Sequence, residues 1–156
     1  METQHQFVGF HSRGVSHLFF SSDGALLMSV GLDDSHSLAV YSITSGGVKS
    51  RKPGQLIFSS KGNKQKVLTV IANPFSPSSF AQCGVKHLDF HTLSPTSLNT
   101  KKGSFGKGGV STLLALAYVS ESTILAGSQS GELMTFKVSG ATKRAKCTPT
   151  YIQLTL

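Results

Sequence analysis

His11-Ser-Arg-Gly-Val15, an apolar run to Phe20, the turn Ser21-Ser-Asp-Gly24, a second apolar run to Gly31 and the closing Leu38-Ala-Val-Tyr41 form a unit that the chain repeats twice more. The second copy opens at Val67, turns at Asn73-Pro-Phe-Ser-Pro77, reaches Gly84 and ends Leu88-Asp-Phe90. The third opens at Val110, turns near Ser120-Glu-Ser122, reaches Gly127 and ends Leu133-Met-Thr-Phe136. The opening valines are 52 and 43 residues apart and the marker glycines 53 and 43. A period of roughly 40–45 residues holding several short strands marks the blades of a β-propeller. A blade is a four-stranded sheet, and known propellers use about four to eight of them. The expected fold is therefore all-β: about three four-stranded blades in an open arc, with no helix longer than about two turns and a larger assembly needed to complete it.

The composition agrees. At 156 residues the chain has the length of one ordinary domain, rich in Ser, Gly, Val and Leu and without the periodic Lys-Glu-Ala pattern of long helices. It has no apolar run of about 18 residues, so no membrane-spanning helix is expected. Met1-Glu-Thr-Gln-His-Gln6 shows neither a basic nor an apolar leader region. Cys83 and Cys147 are far apart and fit no disulfide framework, which favours free thiols in a reducing compartment.

The strands expected in the first blade are Val15–Phe20, Leu26–Val30, Leu38–Ser42 and Val48–Arg51. Those in the second are Val67–Ala72, Phe80–Cys83, His87–Thr92 and Leu98–Thr100. The third blade takes Thr112–Tyr118, Ile124–Ala126, Glu132–Val138 and Arg144–Cys147. Inner strands of stacked blades are covered on both faces, which suits a continuous apolar run such as Leu113-Leu-Ala-Leu-Ala-Tyr118. Asp23-Gly24 and Ser130-Gly131 supply turn chemistry. The blades span approximately residues 8–52, 53–104 and 105–140. Residues 141–156 match no blade and read as an unassigned tail, the product of truncation or of a changed exon.

Four ordered segments sharpen the reading: Ser29-Val-Gly-Leu-Asp33-Asp34, Asn73-Pro-Phe-Ser-Pro77, Cys83-Gly-Val-Lys-His87-Leu-Asp-Phe90-His-Thr-Leu93 and Lys101-Lys-Gly-Ser-Phe-Gly-Lys107. Together they closely resemble the echinoderm microtubule-associated protein-like family, over roughly residues 8–138. That resemblance implies atypical WD40 propeller blades, a cytoplasmic location on the cytoskeleton, and a rigid scaffold able to contact tubulin. The chain departs from the pattern in having no Trp. The third-strand aromatic is read as Tyr41, Phe90 and Phe136, each followed by Ser42, His91 or Lys137 in place of an aspartate.

WD40 blades are often locked by a His–Ser/Thr–Asp–Trp hydrogen-bond network, which rigidifies a fold when every member is satisfied. In the first blade His11, Ser29, Asp34 and Tyr41 are expected to fill these places, a structural role. The other two blades lack the histidine and are expected to be softer. Cys83, His87 and His91 look like zinc ligands, but residues four apart on a strand lie about 13 Å apart, too far for donor bonds of about 2 Å to one metal. In Gly103-Ser-Phe-Gly-Lys-Gly-Gly109 the lysine is followed by glycines and a strand, where a phosphate loop needs Ser or Thr and a helix. Nothing around Ser128 or Ser130 has the strand-turn-helix setting of a nucleophile elbow. With only seven carboxylates, most of them at turns, no enzyme, metal or cofactor is expected.

Charge gives the functional direction. Ten basic residues lie between Lys49 and Lys107 against the single acid Asp89, a local charge of +9 on a chain of net charge +8. A basic patch in loops attracts an anionic surface and speeds encounter with it. The residues expected to form it are Lys61, Lys64, Lys66, Lys101, Lys102 and Lys107, and the resemblance makes acidic tubulin the partner. Nucleic acid fits less well, because no aromatic residues interleave with the lysines. The alternative is a WD40 scaffold in another multiprotein assembly, without tubulin contact.

Overall fold

The structure, a computed structural model, describes residues 7, 10–43, 54–95, 97–105 and 109–138, and the backbone of 144–148. It divides into two compact units, Met1–Lys64 and Gln65–Leu156. Every regular element among the described residues is a β-strand.

The first unit is one antiparallel sheet in the order β1 (Val15–Phe20), β2 (Leu26–Gly31), β3 (Leu38–Ser42), β4 (Leu56–Ser60). The expected fourth strand, Val48–Arg51, lies outside the described residues; the outer strand is Leu56–Ser60, so this sheet extends past residue 52. The β1–β2 turn works as its composition demands. Asp23 Oδ1 accepts from the Ser21 hydroxyl at 2.5 Å and the Ala25 amide at 3.0 Å, and Gly24 takes the left-handed backbone at φ 70°.

The second unit holds two blades: β5 (Val67–Ala72), β6 (Ser79–Gly84), β7 (His87–Leu93) and β8 (Leu98–Ser104), then β9 (Leu113–Ser120), β10 (Thr123–Ser128), β11 (Leu133–Lys137) and β12 (Arg144–Thr148). Each blade is antiparallel, but the two outer strands, β8 and β12, pair in parallel and join them into one eight-stranded sheet. The sequence did not foretell this join. The sheet does not close into a barrel, because its end strands β5 and β9 share no ladder. Instead the blades face each other across a core of Ala81, Cys83, Leu88 and Phe90 against Leu113, Ile124, Ala126, Met134 and Phe136. Asn73 fastens the same interface: its Oδ1 caps the Phe75 amide at 3.0 Å while its Nδ2 donates to the Glu121 carbonyl of the next blade at 3.0 Å.

Candidate interaction site

The three blades share one register, which shows which residues are equivalent. The second strand ends at Gly31, Gly84 and Ser128, paired with Val15, Val67 and Leu113. Four residues earlier stand Leu27, Phe80 and Ile124, whose third-strand partners are Tyr41, His91 and Phe136. His91, not Phe90, therefore occupies the aromatic position of the second blade. Successive side chains on a strand point to opposite faces, so Phe90 turns away from His91 and into the core with the third blade. By the same register the third blade opens at Leu113 rather than Val110, and Ser128 replaces Gly127 as its marker.

His11 is the centre of the first blade's network. The Ser37 hydroxyl donates to Asp33 Oδ2 in a short bond, so His11 Nδ1, 2.8 Å from Ser37 Oγ, is the donor to that oxygen. Nε2 then accepts from the Ser29 hydroxyl at 2.7 Å. Burial holds His11 below the usual histidine range against the opposing pull of the Asp33 charge, in keeping with this neutral tautomer. Asp33 also accepts from the Ser35 amide and hydroxyl at 3.1 and 2.8 Å and from the Ser37 amide. These bonds, that of the Ser37 hydroxyl foremost, hold its carboxyl far below the ordinary carboxylate range.

The network carboxylate is thus Asp33, whereas Asp34 was the expected member. Asp33 starts a tight turn in which the amides two and four residues on point back at it. Asp34, one residue further, turns outward and pairs with Arg13 at 2.8 Å in water. Tyr41 is buried beside the site with the Phe7 ring edge-on at 5.5 Å. Gly31 makes room for all of this: a methyl group there would collide with the Asp33 carboxylate, His11 Nδ1 and the Ser37 hydroxyl. The hydroxyls of this Ser-His-Ser-Asp chain are committed within it, so its chemistry is that of a lock.

In the second blade, His91 stacks on Phe80 at 4.6 Å and hydrogen-bonds Thr100 through Nδ1 at 2.9 Å. Gln82, His87 and Asp89 are buried on the same face, and Gln82 Nε2 donates to Asp89 Oδ2 at 3.3 Å. Burial pushes His91 down to about 4, with Asp89 opposing and His87 assisting. Cys83 lies on the other face, its thiol pushed up to about 12 by burial, which leaves it inert as a nucleophile. No group of three or more metal-ligating side chains converges among the described residues.

Of the basic residues, Lys61 and Lys64 are exposed near the end of the first unit. Lys66, Lys86 and Lys102 are exposed in the second, and the ladder brings them to one end of the sheet. Val67 pairs with Gly84, and Gly84 with His87, across the hairpin that carries Lys86; Lys102 pairs with Asp89 two residues further along. Lys86, absent from the expected patch, was legible as the cation of a two-residue hairpin; its φ of 57° pins it at the tip. Lys101 is half-buried, and Lys107 lies outside the described residues.

Four-stranded antiparallel blades repeated in one register, with a His-Ser-Asp lock in the first, make this a WD40-type β-propeller segment. Solved structures agree on the fold. The chain matches Kluyveromyces lactis Hsv2 with a TM-score of 0.58 at 14% identity, covering 88% of this chain and 46% of that one. It matches the WD40 β-propeller domain of Doa1 with a TM-score of 0.56 at 17% identity, covering 84% and 38%. The resemblance to the echinoderm microtubule-associated protein-like family also holds: the chain is 34% identical to echinoderm microtubule-associated protein-like 4 of Xenopus tropicalis over 152 residues. It is 27% identical to cilia- and flagella-associated protein 44 of Trypanosoma brucei brucei over 130 residues. These matches cover 92% and 81% of this chain but only 15% and 7% of the relatives' lengths. No protein-family model matches the chain.

Proposed function

We propose that the chain is a non-catalytic WD40 binding module of a cytoskeletal, microtubule-associated protein, and that its basic residues contact the acidic surface of tubulin. The observation that carries this reading is the placement of Lys66, Lys86 and Lys102, all exposed, towards one end of the second unit's sheet. Exposed lysines Lys61 and Lys64 precede them in the chain. Lys101 of β8 and Lys107, which lies outside the described residues, belong to the same reading as further positive charges. The names of the relatives supply the partner class: one is microtubule-associated and the other belongs to cilia and flagella. Nothing in the reading calls for a cofactor or a metal.

Replacing Lys66, Lys86 and Lys102 together with Glu should weaken microtubule co-sedimentation roughly tenfold at low salt, since opposite charges steer the encounter and like charges resist it. The same treatment of Lys143, Arg144 and Lys146 should do less. If the triple variant pellets with microtubules as the parent does, the module is a protein-interaction scaffold without tubulin contact.

A further inference from the structure

Ser76-Pro77 lies in the β5–β6 loop of the second blade and Ser94-Pro95 in its β7–β8 loop. Successive antiparallel strands reverse direction, so these two loops turn at the same end of the blade, opposite the Lys86 hairpin. They also touch. The Leu93 amide donates to the Ser78 carbonyl at 2.7 Å, and Ser79 pairs with Thr92. No charged side chain falls within residues 73–79 or 92–100.

Both loops are presented to solvent. Pro74, Phe75, Pro77, Pro95 and Ser97 are exposed. Ser76 Oγ donates to Ser79 Oγ at 3.3 Å, and Ser94 Oγ accepts from Asn99 Nδ2 at 3.4 Å, both long contacts. Hydroxyls of the first blade are held more tightly, Ser21 by Asp23 at 2.5 Å and Ser29 and Ser37 by His11 at 2.7 and 2.8 Å. A phosphate on Ser94 would still accept from Asn99, and one on Ser76 would accept from the Ser79 hydroxyl, so neither leaves a buried group unpaired. The turn bonds are long as well, 3.3 Å from the Ser76 amide to the Asn73 carbonyl and 3.4 Å from the Ser97 amide to the Ser94 carbonyl. Loop tips of this sort open at small cost.

We propose that Ser76 and Ser94 are phosphorylation sites for a proline-directed protein kinase. Proline has no amide N–H, so a kinase pocket that offers an N–H no acceptor favours it directly after the serine. Ser76 also has Pro74 two residues before it, the Pro-x-Ser-Pro order that mitogen-activated kinases prefer. The serine oxygen attacks the γ-phosphorus of ATP, the bond to the β-phosphate oxygen breaks, ADP leaves, and the hydroxyl proton passes to the kinase's catalytic aspartate. Each phosphate brings about −1.5 to −2 charges near pH 7, so the pair turns an uncharged end of the blade into an anionic one. Thr148-Pro149 is a third dipeptide of this kind, but Thr148 is tied into the ladder opposite Thr135. The two serine sites stand whether or not the lysines meet tubulin.

Incubation of the folded chain with a mitogen-activated protein kinase and ATP, followed by peptide mass mapping, tests this. Phosphate is expected at Ser76 and Ser94, faster at Ser76, with an unchanged β-sheet circular dichroism spectrum. Pro77→Ala should lower kcat/KM at Ser76 roughly tenfold and leave Ser94 as in the parent, and Pro95→Ala should do the reverse. Ser76→Ala and Ser94→Ala, which keep both prolines, should each remove one phosphate and spare the other. A folded chain left unmodified at either serine, incorporation confined to free peptides covering residues 70–82 and 90–101, or proline variants that change nothing would each overturn the proposal.

Discussion

Asp33 and His91 show how single side chains set the acid limit of this fold. Asp33 sits well below its ordinary value of 3.8 because the folded chain supplies hydroxyl and amide donors. Its contribution is therefore present above pH 4 and drains away as acid protonates it in the fold. Asp33→Ala should lower the stability measured in urea at pH 7 by about 2 kcal/mol, through loss of charge-assisted bonds and of the acceptor for the buried Ser37 hydroxyl, and the gap to the parent should narrow below pH 4. His91 acts over a different window. Folded, it titrates near 4 against 6.5 for a free histidine, so between those values the unfolded chain binds a proton that the fold refuses, and stability falls as pH drops from 6.5. His91→Phe should flatten much of that slope and raise stability at pH 5 by about 1–2 kcal/mol, leaving only the exposed Thr100 hydroxyl to turn to water. His11, also lowered, would keep the remainder of the slope. The sequence revealed His11 and Ser29 by spacing, but the choice between Asp33 and Asp34 turned on a tight turn that spacing cannot resolve. The choice between Phe90 and His91 turned on a one-residue register, and with no Trp in the chain the more aromatic-looking neighbour was the wrong one.

The strands themselves were readable because turn residues and apolar runs punctuate them clearly. β1, β3 and β5 coincide with their expected bounds, and most others differ only at their ends. The first blade's outer strand was misplaced because Leu56–Ser60 follows a long polar stretch that gives no periodic signal. The marker glycines carry more than turn chemistry. A methyl group at Gly84 would collide with the Lys66 backbone carbonyl, which itself accepts the Val85 amide at 3.0 Å. Backbone cannot swing aside as a side-chain tip can, so Gly84→Ala should shift the β5–β6 ladder and cost about 2–3 kcal/mol in a denaturant midpoint assay. Gly127→Ala, with room around it, should cost less than about 1 kcal/mol. Equal losses at the two positions would mean that the register equivalence of the blades is misassigned.

At the scale of the whole molecule, a net charge of +8 on 156 residues makes any acidic partner's binding depend on ionic strength. Exposed charges are screened beyond about 8–10 Å at 0.1–0.15 M salt, so microtubule co-sedimentation should fall steeply as salt is raised. The Lys66, Lys86 and Lys102 reversal should flatten that dependence. A pelleting fraction indifferent to salt would point to apolar docking instead. The charge excess was legible in the sequence, but its placement was not, because Lys66, Lys86 and Lys102 come towards one end only through strand pairing. The parallel join of β8 to β12 was equally invisible, since it links segments some forty residues apart. It carries a consequence for misassembly. Arg144–Thr148 satisfies the open rims of two blades at once, so a polypeptide lacking those five residues would bare both rims together. β8 would still be guarded by Lys101 and Lys102, since charged side chains discourage strand addition. β11, Leu-Met-Thr-Phe-Lys, would present four residues without charge before its lysine. Its rim is where amyloid-like growth would begin.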